Sequence, residues 1–102
     1  MAQAVASAGR KDTLVPIVER LLSSRDYPKT ICPSEVPRAL TADQLKQLGV
    51  SEWRELMSEV RELLWDMRQR GQVEILQKNS PVPDGIELKD VRGPIRARRI
   101  QN

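Results

Sequence analysis

Arg54, Arg61 and Arg68 recur every seven residues, and with Ser58 and Trp65 they fall within about 80° of one another around a helix. At about 1.5 Å per residue the three guanidiniums mark out about 21 Å. That spacing suits a phosphate backbone, and in a recognition helix the N-terminal half, with Arg54, Ser58 and Arg61, would reach base edges. A second cationic set lies in the last 25 residues, where Lys78, Lys89, Arg92, Arg96, Arg98 and Arg99 face only Asp84, Glu87 and Asp90. Adjoining the arginine stripe runs an acidic one, Glu55, Glu59, Glu62 and Asp66. Carboxylates repel phosphate, so the rival use of this helix is to dock a protein through those acids or through the Trp65 ring.

Bond-making chemistry has little to work with. Cys32 is the single cysteine and histidine is absent, so there is no imidazole base, no histidine-containing zinc set and no intrachain disulfide. Carboxylate pairs such as Glu55 and Glu59 lie on a polar helix face without an apolar pocket to raise a pKa. No glycine-rich phosphate loop occurs. The chain is therefore expected not to be an enzyme and to need neither metal nor cofactor.

At 102 residues with a net charge of +3, the chain has the size of one domain with one modest core. No apolar run approaches the ~18 residues of a membrane span. The start, MAQAVASAGRK, lacks the basic and bulky apolar parts of a secretory signal and reads as a disordered lead-in over residues 1–11, with the domain in 12–100. With one cysteine and no such signal, an intracellular setting, cytoplasmic or nuclear, is expected.

The elements that must carry these residues follow from periodicity. Thr13 to Arg25 reads as a helix capped by Thr13, with Pro16 tolerated in its first turn. Thr30 to Cys32 is a short extended piece, and Glu35 to Leu40 a short helix capped by Ser34 that buries Val36 and Leu40. Thr41 and Gln44 make a capping box for a further turn or two ending at Gly49. Ser51 to Gly71 reads as one long helix with Trp53, Leu56, Met57, Val60, Leu63, Leu64 and Met67 on its core face. Val73 and Ile75 then give a strand one apolar side. Residues 79–93, rich in Pro and Gly, read as an irregular loop, and Pro94 to Ile100 as a returning strand with Ile95 and Ala97 on one face and Arg96 and Arg98 on the other.

Helix, short strand, two helices and a hairpin is the order of a winged helix-turn-helix, mainly α with a small antiparallel β-hairpin, an α+β class. Residues 79–93 would be the wing, and Thr30 to Cys32 a third strand at the hairpin edge. TICPSEV at 30–36, WRELMSEVR at 53–61, GQVEILQK at 71–78 and RGPIRAR at 92–98 resemble successive signatures of a family of small winged-helix-like proteins catalogued as a domain of unknown function. The resemblance implies the fold and no activity. Pro37 and the length of the 41–50 bridge depart from the family pattern.

The expected function is non-catalytic binding of nucleic acid, double-stranded DNA first, with Arg54, Ser58 and Arg61 at the groove and Arg92, Arg96, Arg98 and Arg99 on phosphates. The alternative is a protein-interaction module using Glu55, Glu59, Glu62, Asp66 or the Trp65 face, as a monomer or homodimer. The nucleic-acid reading requires the ribbon arginines to stand beside those of the long helix.

Overall fold

The computed structural model describes residues 7–100. Its helices are α1 (Ser7–Ser23), α2 (Glu35–Arg38), α3 (Ala42–Gln47) and α4 (Met57–Gln69). Its strands are β1 (Val73–Gln77), β2 (Ser80–Pro81) and β3 (Arg96–Arg99), and 3₁₀ turns at Trp53–Leu56 and Leu88–Asp90 precede α4 and β3. The architecture is α+β, with the helices on one face of an antiparallel sheet ordered β2-β1-β3.

Alternation in the strands decides what the sheet buries. Val73 and Ile75 of β1, with Ile95 and Ala97 at β3, join Leu63, Leu64 and Met67 of α4 in the core. Their neighbours Glu74 and Leu76 pair across the strands with Arg98 and Arg96 on the opposite face. The expected third strand is present as one antiparallel bridge. Ile31 donates to the Ala97 carbonyl at 2.7 Å and accepts from the Ala97 N–H at 3.0 Å. Ile31 is thereby fully buried at the outer edge of β3.

Helix α1 starts earlier than its letters suggest. The lead-in read over 1–11 is shortened, because Ser7 to Lys11 are already helical, while residues 1–6 lie outside the described residues. Arg10 and Lys11 explain the extension, since each reaches a carboxylate of α4, Glu59 at 3.1 Å and Glu62 at 2.9 Å. Thr13 is therefore not a cap, and Pro16 sits in the helix interior instead of the first turn. An interior proline costs about 3 kcal/mol. Burial of Leu14, Ile17, Val18 and Leu22, at about 1.5–3 kcal/mol each, is larger, so packing overrides propensity.

Two caps also differ. Ser34 makes no side-chain cap for α2, which ends at Arg38; the work passes to Glu35, whose carboxylate accepts the Cys32 N–H at 2.8 Å and pairs with Arg25. Leu40 is buried all the same. At the start of the long helix, Glu55 accepts the N–H and hydroxyl of Ser51 and the N–H of Glu52, tightening Trp53–Leu56 into a 3₁₀ turn before α4 begins. The Thr41–Gln44 capping box of α3 is present as read, and Gly71 ends α4 with φ +75°.

The stretch 79–93 is not wholly irregular. Lys78 and Asn79 both adopt positive φ, +53° and +68°, as a two-residue hairpin turn requires, and Ser80–Pro81 folds back on Leu76 and Gln77 as β2. Among the described residues no helix is long and apolar enough to cross a membrane.

Candidate functional site

Arg54 and Ser58 are exposed at the start of the long helical segment. The Arg54 guanidinium lies 4.5 Å over the Trp53 ring and donates to Glu52 at 3.2 Å, while Arg38 of α2 approaches the same ring at 5.7 Å. Trp53, read as core, is thus half-buried, because two guanidiniums cover it in place of aliphatic neighbours.

One turn further on, the arginine stripe meets the ribbon. Arg61 donates to the Gly93 carbonyl at 3.3 Å, and Arg68 donates to the Val82 and Pro83 carbonyls at 3.2 and 2.8 Å. The heptad spacing therefore has a structural use that periodicity did not disclose. It clamps both ends of the 82–93 loop to α4, while exposed Arg92, next to Gly93, borders a hollow that it shares with Lys78 and Arg96.

Arg96 and Arg98 go elsewhere. Ile95 and Ala97 must face the helices, so alternation turns these two arginines to the other side of the sheet. Arg98 faces Glu74 across the strands with its Nη2 2.6 Å from the carboxylate, and its guanidinium lies 4.9 Å over Tyr27. With its side chain 16% exposed, Arg98 is both neutralised and covered. The Arg96 Nε donates to the Thr30 hydroxyl, and its side chain remains exposed, as does that of Arg99. The single arginine field expected from the sequence is accordingly divided. Arg54, Ser58 and Arg61 share the helix side, and Arg96 and Arg98 share the far face of the sheet. Arg92, adjoining the Gly93 carbonyl that Arg61 reaches but bordering the same hollow as Arg96, stands between the two.

The acidic stripe is spent on the fold. Glu59, 8% exposed, holds Arg10, Glu62 holds Lys11, Asp66 pairs with Arg70 one turn away at 3.0 Å, and Glu55 caps its own helix. The Ser51 hydroxyl, with the Ser51 and Glu52 N–H groups, holds the Glu55 carboxyl below its usual range. Trp65 is not a surface ring either. It is 5% exposed with Arg68 stacked 4.6 Å over it, and its indole N–H finds no acceptor among the described residues. Burial withdraws Glu59 and Trp65 from the surface, whereas Glu55, Glu62 and Asp66 make these contacts and stay exposed.

Cys32 is half-buried with Sγ 3.2 Å from the Ser34 hydroxyl. Nearby Glu35 is pushed up by burial but drawn further down by the Cys32 N–H and by Arg25, so its carboxyl stays ionised and is committed to holding α2. The described residues contain no group of three or more His, Cys, Asp or Glu side chains placed to hold a metal ion.

A comparison with curated proteins finds no match. A family model described as "Protein of unknown function (DUF3253)" matches residues 11–100, and the chain belongs to that family.

Proposed function

We propose that the chain is a winged-helix domain that binds nucleic acid without catalysis, duplex DNA above all, through phosphate contacts and with weak sequence preference. The observation that carries this reading is the Arg61 hydrogen bond to Gly93, which joins the exposed N-terminal half of the long helix to the loop bearing Arg92. Element order supports it too: four helices, an edge bridge at Ile31 and a clamped loop between β2 and β3 are compatible with a recognition helix and a wing. Arg54, Ser58 and Arg61 face the groove in this reading, and Arg92 and Arg99 meet the backbone. Arg98 is left out because its pair with Glu74 is covered, whereas the Arg54–Glu52 pair is exposed and free to exchange, and Arg96 because it lies on the far face of the sheet.

Counterion release gives the test its magnitude. If the four cations Arg54, Arg61, Arg92 and Arg99 each neutralise one phosphate, log K falls with log salt at a slope of about −3.6, so raising salt from about 50 to about 200 mM weakens binding about 10²-fold. Fluorescence anisotropy with a short labelled duplex should show micromolar binding at the lower salt and this slope, and Arg54→Ala with Arg92→Ala should flatten it by about two. Absence of binding at the lower salt, or an unchanged slope in the double variant, overturns the proposal.

A further inference from the structure

On the sheet face turned away from α4 lies a hollow of about 480 Å³, bordered by Thr30, Leu76, Lys78, Arg92, Pro94 and Arg96. It lies between the tight turn that follows β1 and the chain that approaches β3. Its volume falls in the range of sites that bury most of a small organic ligand. Leu76 and Pro94 supply apolar lining, and none of the residues bordering it is acidic.

Charge is the unusual part. Lys78, Arg92 and Arg96 are all exposed, and among the described residues neither Lys78 nor Arg92 has a carboxylate partner. Three like charges around one apolar hollow repel one another, and an anion placed among them relieves that repulsion. Parts of the rim are held in place already. The Thr30 hydroxyl accepts from the Arg96 Nε, and the Gln77 side-chain amide donates to the Arg92 carbonyl, tying β1 to the segment before β3. Gln77 keeps its own carbonyl oxygen as an acceptor, and the Asn79 amide borders the same space.

A ligand matched to this site has a multiply charged head, an apolar face and hydrogen-bonding edges. We propose that the hollow binds a nucleoside monophosphate, the phosphate among Lys78, Arg92 and Arg96 and the base over Leu76 and Pro94 with its edge toward the Gln77 and Asn79 amides. This site is separate from the duplex-binding surface. It lies across the sheet from Arg54 and Arg61, and only Arg92 borders both.

The test is isothermal titration of the full chain with adenosine monophosphate, and in parallel with inorganic phosphate, adenosine and a short single-stranded oligonucleotide. Joining head and base in one molecule should make the monophosphate bind at least about tenfold tighter than phosphate or adenosine alone. In a ¹⁵N-labelled sample the amides of Thr30, Gln77, Asn79 and Gly93 should shift and saturate together. Lys78→Glu, at an exposed turn position, should keep the wild-type circular dichroism spectrum and lose at least about tenfold in affinity, and adding Arg96→Glu should abolish binding. No heat and no shifts with the monophosphate overturn the assignment. So does equal affinity for phosphate, or an unaffected Lys78→Glu variant. An oligonucleotide that shifts these amides when the mononucleotide does not also overturns it, and points to a strand as the occupant.

Discussion

At the scale of single residues, the acids of this protein are mostly anchors. Glu59 shows this best, because its carboxylate is almost buried and its charge partner, Arg10, comes from the N-terminal turns of α1. Removing Arg10 leaves an ion of low accessibility without its partner. A fully buried pair broken in this way costs about 3–5 kcal/mol; with Arg10 itself about a quarter exposed, Arg10→Ala should cost about 1–2 kcal/mol in urea unfolding. Arg10→Ala combined with Glu59→Gln should recover part of that loss. Glu35 gives a pH-dependent counterpart. Its folded pKa lies below the ordinary 4.5, so its stabilising effect is fully present above that value and is lost as pH falls through the lower folded value. The stability difference between wild type and Glu35→Gln should therefore be largest near neutral pH and shrink toward about pH 3. A difference that stays constant or grows on acidification contradicts the assignment of Glu35 as an ionised anchor of α2.

At the scale of elements, two features stand out: a proline inside α1 and an arginine clamp on the 82–93 loop. Pro16 is exposed, and its place in the helix leaves one carbonyl without its ladder donor. Pro16→Ala should raise stability by about 1–3 kcal/mol, read as a higher denaturant midpoint, with part of the helix gain offset by the freer unfolded chain. A neutral result would mean that the helix already bends to accommodate the ring. Arg68→Ala should release Val82 and Pro83, so that amides of residues 84–93 exchange faster while β1 and β3 stay protected. Much of this level was legible in the letters. The Thr41–Gln44 box, the Gly71 stop, the apolar face of α4 and the alternation of β1 and β3 are local signals, and Pro33 biases Cys32 beside Ile31 toward an extended backbone. What escaped reading depends on partners distant in sequence. The early start of α1 needs Glu59 and Glu62, and the Lys78–Asn79 turn takes positive φ without the Asn-Gly or Asp-Gly pair that announces it. The same distance hides the true work of Arg61, Arg68 and Arg98, because a guanidinium shows no preference in sequence between a carbonyl, a carboxylate and a phosphate.

At the scale of the whole molecule, the distribution of charge matters more than its total. Strand alternation sends the cations to two faces, one carrying Arg54 and Arg61 of the long helix, the other the hollow at Lys78 and Arg96, with Arg92 at their junction. Of the acids on the long helix, Glu59 and Glu62 hold α1, and with Glu55 and Asp66 they keep to a stripe apart from Arg54 and Arg61. That separation is what permits a protein with +3 overall to present a locally cationic edge. The most direct measurement is an amide chemical-shift map of the ¹⁵N-labelled chain titrated with a short duplex at low salt. The account predicts that shifts concentrate at residues 54–61 and 91–93, and that they fade as salt is raised. Shifts confined to the Lys78–Arg96 face, spread over α1, or absent altogether would contradict it.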